Sequence, residues 1–239
     1  DYAIVQADVA AAAVAGEDVF ARGAALDTLR AVGSLFPEAV HVVVLSDSGI
    51  QEVGQLRGKR VDIGAPESGT RFDAVAVLEA HQLKPADLAE AREDGLEAAL
   101  LRLKRRELDA VFATTRAPAR ALQELAMSPG FRLLPVAESA IERLAQLRQG
   151  LLPLTLPANT YPRQTQPIFT VASAALLVTT ADAPDAEVGR VADLVFRRMP
   201  GHVGTGGREQ AGQEKEKEHR GVTIPLHPGA VRREGPGTK

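Results

Sequence analysis

The sequence predicts an α/β fold built as a three-layer unit, with helices on both faces of a sheet. Three observations carry that expectation. Val61 to Gly69 reads as a buried strand and a tight turn, and the largely apolar run on to Ala80 reads as a helix. From residue 61 the segments alternate as β-α-α-β-α-β-α, the order that folds into such layers. Two long apolar β runs, Val40 to Leu45 and Ile168 to Thr180, stand before and after this unit.

Taken in order, Asp1-Tyr2-Ala3-Ile4-Val5-Gln6 is apolar enough to be a strand. A buried parallel strand needs neighbours on both sides, so an earlier βα portion is expected to precede Asp1 and to be missing from this chain. Gln6-Ala7-Asp8 leads into an Ala-rich helix over Val9 to Ala15, stopped by Gly16. Leu29 to Phe36 is apolar, and Pro37-Glu38 is expected to break it before the β run at Val40. His41 inside that run reads as a core or hinge histidine. Ser46-Asp47-Ser48-Gly49 is a turn, and Ile50 to Leu56 a short helical turn.

After the helix ending near His81 comes a turn at Pro85, and then Leu96, Ala99, Leu100 and Leu103 repeat at helical spacing. Arg102, Lys104, Arg105 and Arg106 sit near that helix's end, where cations suit the dipole. Leu108 to Phe112 is a strand, a helix can start at Pro118, Phe131 to Val136 is a strand, and Ser139 to Gln149 a helix. Leu151 to Pro167 carries four prolines and reads as an irregular connection. Ile168 to Thr180 is a strand, and Asp182-Ala183-Pro184-Asp185 starts a last amphipathic helix. Gly201 to Gly221 is rich in Gly, Glu and Lys and is expected to be poorly ordered. Ile224 to Ala230 then reads as an ordered motif again.

Composition removes several classes of function. At 239 residues, 45% hydrophobic and 25% charged, the chain is globular. A net charge of −3, with two Tyr and no Trp, offers neither a basic face nor a stacking platform for nucleic acid. No apolar run is long enough to span a bilayer as a helix, and no signal-peptide pattern opens at Asp1. With no cysteine there is no thiol chemistry, and the five His show no metal-ligand spacing. Neither Gly-x-Ser-x-Gly nor His-Glu-x-x-His occurs, so no enzyme, cofactor or metal is expected.

The chemistry-bearing stretch is Gly64-Ala65-Pro66-Glu67-Ser68-Gly69-Thr70-Arg71. Gly64 and Gly69 have the spacing of a nucleotide P-loop, but Thr70-Arg71 stands where Lys-Ser or Lys-Thr is required. A helix opening on Ser68-Gly69-Thr70 aims unpaired N–H groups, two hydroxyls and the positive dipole end at one spot, which suits a carboxylate or phosphate. The plainer alternative is a capped helix without a ligand. Gln6 and Asp8 stand where a strand hands over to a helix, a place that commonly lines a ligand crevice; Asp8 as a simple helix cap is the alternative there.

As an ordered set, these segments resemble the TAXI family, the solute receptors of tripartite TRAP-type transporters. The carrying residues are Asp1 to Ala10, Phe36-Pro37-Glu38 with Val40 to Val44, and Asp47-Ser48-Gly49-Ile50. Leu56 to Val61, Gly64 to Thr70, Leu108 to Phe112, Tyr161-Pro162-Arg163-Gln164 and Ile224 to Ala230 complete them. The resemblance implies a two-lobed, type II periplasmic-binding-protein-like fold, with ligand between lobes that are joined by crossing strands. It places lobe 1 at 1–43 and 170–239 and lobe 2 at 44–169. It implies an extracytoplasmic, monomeric protein that binds a small carboxylate, such as glutamate or a dicarboxylate, and passes it to membrane permease subunits. Ser68, Gly69 and Thr70 would hold the carboxylate. Gln6 and Asp8 would line the other lobe, Asp8 meeting an ammonium, and Tyr161 and Gln164 would close the pocket. Two departures stand out. Glu67 replaces the family's usual Gly, and Arg116 opens Arg116-Ala117-Pro118 where the family has Gly-x-Pro; Arg116 offers a bidentate carboxylate partner or a surface charge. A ligand-sensing module of a signalling system and a degraded, non-binding copy are the alternatives.

Overall fold

The computed structural model describes residues 1–198 and 220–231. The expectation for 201–221 therefore falls, apart from Arg220 and Gly221, outside the described residues. The chain divides into two compact units, Asp1–Pro37 with Ser173–Lys239 and Glu38–Ala172. Two long strands, β2 (Leu29–Leu45) and β8 (Ile168–Thr180), each give residues to both units.

In the first unit, β1 (Ala3–Gln6) pairs antiparallel with β8, from Ala3 opposite Val178 to Gln6 opposite Ala175. Helix α1 (Ala7–Ala15) follows without a break and ends where Gly16 turns left-handed at φ 68°. Alternation along β8 splits the packing in two. Leu176 and Val178 join Ala7 and Ala10 of α1, while Ala175 and Leu177 join Val188 and Ala192 of α6 (Asp185–Asp193). A π-helical turn over Leu194–Arg198 extends α6, and its Phe196 packs on Gly33, where a Cβ would meet the ring at 2.6 Å. The 224–230 motif lies along β2. Ala31 N–H donates to Pro225 C=O at 2.9 Å, and His227 N–H to Ala31 C=O at 2.8 Å. It closes in α7 (Pro228–Val231).

The second unit is the three-layer arrangement. Strand β5 (Ala110–Thr115) runs antiparallel to β2 and parallel to β3 (Arg60–Asp62), which is in turn parallel to β4 (Glu90–Arg92). Strand β6 (Phe131–Leu133) pairs with β2, and β7 (Leu151–Leu156) with β8. Val40, Val42 and Val44 of β2, with Ala110 and Phe112 of β5, pack under α2 (Gly69–Ala80) and α5 (Glu138–Leu147). Ala39, Val43 and Leu45, with Val111, face α3 (Leu96–Lys104) and α4 (Arg120–Met127). The period-two pattern of a doubly covered strand therefore reads directly as two cores.

Four elements differ from the sequence expectation. Strand β1 is not a buried parallel strand: it pairs antiparallel with β8 at the end of the strand order, and Ala3 and Ile4 are exposed. Pro37 does not break β2; the ladder with β5 begins only at Ala39, so no bond to β5 needs a Pro37 N–H. The Pro-rich connection opens with a strand, β7, in which Pro153 is exposed. Among the described residues that strand pairs with β8 alone, and an edge strand tolerates a residue without an N–H. The three residues of β4 carry no apolar run and were not expected; they are ordered by pairing with β3. Among the described residues no helix is long and apolar enough to cross a membrane.

Candidate functional site

In the second unit the start of α2 lies beyond the carboxyl end of β3. The buried Asp62 carboxylate ends that strand and accepts from Gly64 N–H at 3.0 Å and Asp94 N–H at 2.8 Å. Burial pushes the Asp62 carboxyl above its usual range against the pull of those two bonds. The turn requires glycine at 64. Its φ is +93°, and a Cβ would lie 2.7 Å from Thr70 Cγ2. Glu67 sits at φ 60° without being glycine, and its side chain is exposed.

Ser68 is the N-cap. Its Oγ accepts from Arg71 N–H at 3.2 Å, and its hydroxyl donates to Ala65 C=O at 2.6 Å. Gly69 and Thr70 occupy the first helical positions, whose N–H groups have no acceptor within a helix. Thr70 Oγ1 accepts from Thr114 N–H at 3.1 Å, and Thr114 Oγ1 donates to the buried Asp73 carboxylate at 2.7 Å. The geometry thus joins the α2 start to the carboxyl end of β5. Thr114 and Asp73 were not picked out from the sequence. The available signal was the Thr114-Thr115 pair where an apolar strand runs out. Arg116 follows on the exposed side of that strand end.

Tyr161 is 1% exposed. Its Oη accepts from Ala119 N–H at 3.0 Å and lies 2.9 Å from His41 Nε2. Its ring meets His41 and Phe131 edge-on, with centroids 5.7 and 5.5 Å away. Burial pushes its hydroxyl up to about 12. His41 Nδ1 faces two carbonyls, Ala39 at 2.9 Å and Ala113 at 3.2 Å, so it carries the proton, and Nε2 is left to accept from Tyr161. Burial holds the imidazole down at about 4, although both carbonyls pull the other way. Gln164 is engaged within its own loop. Its Oε1 accepts from Tyr161 N–H, and its Nε2 donates to the Pro157 and Gln166 carbonyls at 2.9 Å each.

In the first unit, Gln6 is the residue before α1 and is largely buried, as is Asp8 at 2% exposure. Asp8 does not cap α1 through its side chain. Its Oδ1 instead accepts from the Ser173 hydroxyl at 2.6 Å, across to β8. Its Oδ2 is buried with no hydrogen-bond partner among the described residues. No group of three metal-ligating side chains occurs among the described residues.

Similar solved structures give this geometry a context. A protein from Bordetella bronchiseptica RB50 matches with a TM-score of 0.51 at 15% identity, over 94% of this chain and 60% of that one. A TctC solute binding protein from Polaromonas matches with a TM-score of 0.51 at 12% identity, over 90% and 73%. The periplasmic aliphatic sulphonate binding protein SsuA of Escherichia coli gives 0.49 at 15% identity, over 84% and 55%. The chain spans 55% and 60% of the length of two of these proteins. At such identities the likeness concerns the fold, which is the two-lobed α/β fold of the periplasmic binding proteins. The sequence profile of the NMT1-like family matches residues 1–233, and the chain belongs to that family.

Proposed function

We propose that this chain is an extracytoplasmic solute-binding protein whose second unit captures a small carboxylate at the start of α2. The observation that carries the reading is the clasp between Thr70 and Thr114. It fixes a half-buried first helical turn, with its unpaired N–H groups, beside the carboxyl end of β5. Gly64, with no room for a Cβ, lets Thr70 lie close over the turn. Ser68 works here as the cap that sets the turn, and Gly69 and Thr70 supply the donors. Arg116, at the same strand end, adds a cation for the carboxylate. The Polaromonas neighbour is itself a solute binding protein, which is in keeping with this reading.

The finer reading follows the TAXI resemblance. The ligand is an amino acid such as glutamate, or a dicarboxylate, and the receiving partners are permease subunits of a tripartite transporter. Taken by itself, the first unit offers Asp8 Oδ2, without a partner among the described residues, as an acceptor suited to a hydrogen-bond donor such as an ammonium group. Tyr161 and Gln164 serve from beneath by holding the loops they bond rather than by touching ligand.

The test begins with a thermal-shift panel of amino acids and dicarboxylates on the full chain. The best ligand is then titrated calorimetrically into wild type, Thr70→Ala and Thr70→Ser. Loss of a hydrogen bond to a charged group costs roughly 1.5–3 kcal/mol, so Thr70→Ala is expected to weaken binding about ten- to a hundredfold. Thr70→Ser, which keeps the hydroxyl, stays near wild type. Equal affinity in all three proteins removes the ligand from this turn.

A further inference from the structure

The hydrogen bonds around His41 form one directed chain within the second unit. Ala119 N–H donates to Tyr161 Oη at 3.0 Å, and the Tyr161 hydroxyl donates to His41 Nε2 at 2.9 Å. His41 Nδ1–H donates to Ala113 C=O at 3.2 Å, sharing its proton with Ala39 C=O at 2.9 Å. The Ala113 carbonyl and the Thr114 N–H belong to the same peptide group, and Thr114 N–H donates to Thr70 Oγ1 at 3.1 Å. Every donor points the same way along this path. In such a chain each bond polarises the next. The last oxygen, Thr70 Oγ1, receives a proton from Thr114, so its own hydroxyl proton is turned away from that N–H. Among the described residues it donates to no protein acceptor.

We propose that Tyr161 and His41 are positioning residues for Thr70. The directed chain occupies one lone pair of the Thr70 hydroxyl and leaves its proton to meet a solute that presents an acceptor oxygen at the start of α2. The assignment of an incoming solute rests on the function proposed above; the directed chain itself does not. It accounts for a fully buried His–Tyr pair that no ligand can touch, and it explains why the pair is tied to both ends of the segment 113–119. A pair that merely filled the core would have no reason to share a peptide group with the α2 clasp. Among the described residues Thr70 and Tyr161 share no hydrogen bond, so substitutions at the two sites are expected to be additive unless something connects them.

The experiment uses nuclear magnetic resonance and calorimetry on the full chain, as wild type, Tyr161→Phe, Thr70→Val and the double variant. In the ligand-free protein, the imidazole nitrogen shifts are expected to place the His41 proton on Nδ1. Tyr161→Phe is expected to move the Thr114 amide proton upfield, and Thr70→Val to move the His41 Nδ1 proton. With L-glutamate as the probe, Tyr161→Phe is expected to weaken binding about threefold to tenfold in the Thr70 background and not in the Thr70→Val background. A His41 proton on Nε2 overturns the proposal. So does a Tyr161→Phe variant that melts lower yet leaves the Thr114 amide shift and the L-glutamate affinity where they were. If wild type binds neither L-glutamate nor any other panel member, the proposed function falls, while the amide and imidazole shifts still decide for or against the chain.

Discussion

Acid should weaken the second unit through His41, by an amount that follows from its burial. The imidazole is 1% exposed, and its folded value is about 4 against an ordinary 6.5. The neutral form is therefore favoured in the fold. The stability this contributes is complete above pH 6.5 and is lost as the pH falls from 6.5 to about 4, because over that window only the unfolded chain takes up the proton. Integrated, the loss is about 2 kcal/mol at pH 5 and about 3 kcal/mol at pH 4. For a domain stable by roughly 5–15 kcal/mol, that is a large fraction.

The assay is urea unfolding followed by tyrosine fluorescence. The chain has only Tyr2 and Tyr161 and no Trp, so a Tyr2→Phe background makes the signal report on Tyr161 alone. The comparison is His41 against His41→Gln, which keeps an acceptor for Tyr161 but does not titrate. His81 is also held low by burial, and Asp62 is raised; both are common to the two proteins and cancel. Asp47, Asp87, Asp109 and Asp182 lie below their usual values and respond only at lower pH. The glutamine variant starts less stable at pH 7 and falls less by pH 5, the two curves converging by about 2 kcal/mol. Parallel curves between pH 7 and 5 would refute the argument.

Other expectations are simpler to state. Glu67→Gly relieves a left-handed backbone at φ 60° and should raise stability by about 1 kcal/mol; in calorimetry it should also tighten an anionic ligand, less so as salt rises. Gly229→Ala would place a Cβ 2.4 Å from the Asp185 C=O oxygen, where α7 lies against α6. It should cost up to about 3 kcal/mol by chemical denaturation, whereas Gly54→Ala, whose Cβ would meet only Glu52 Oε1 at an ordinary 3.9 Å, should cost little. Spectrophotometric titration should show Tyr161 resisting ionisation up to about pH 12. Because its folded value is raised, its contribution to stability is complete below pH 10 and is lost as the pH rises towards 12.

The helices and long strands of the second unit were legible because apolar spacing is a local property. Val40, Val42 and Val44 against Ala39, Val43 and Leu45 is a period-two pattern with both faces apolar, and the fold uses both faces. Helix α3 shows the 3.6-residue repeat at Leu96, Ala99, Leu100 and Leu103. Strand β4 was not legible, because Glu90-Ala91-Arg92 has no such pattern and is a strand only through Arg60 to Asp62 beside it. Nor was β7, where four prolines outweighed the alternation of Leu151 to Leu156. The continuation of β2 through Pro37 depends on which neighbour needs an N–H there, and no local window contains that information.

The candidate site divides along the same line. Ser68 as a cap and Gly64 as a tight turn follow from residue types within seven positions of each other, and both are found in those roles. What the sequence cannot place is the reach across the chain. Thr70 finds Thr114, 44 residues on, and Tyr161 finds His41, 120 residues back. Tyr161 between Thr160 and Pro162 looks like a loop aromatic free to close over a ligand, yet burial and two hydrogen bonds fix it in the core. Gln164 looks like a spare amide, and its two protons and its oxygen are all bonded within residues 157–166. Asp8 is the converse. It reads as a helix cap or a ligand residue, and the fold denies it the cap, gives one oxygen to Ser173 and leaves the other buried without a partner. An acceptor buried without a donor costs roughly 1–3 kcal/mol, and a ligand that supplies the donor recovers it. Asp8→Asn, which places either an amide N–H or an amide oxygen at that point, should therefore lower the melting temperature little while weakening any ammonium-bearing ligand. Equal affinity of wild type and Asp8→Asn for such a ligand would return Asp8 to a purely structural role with Ser173.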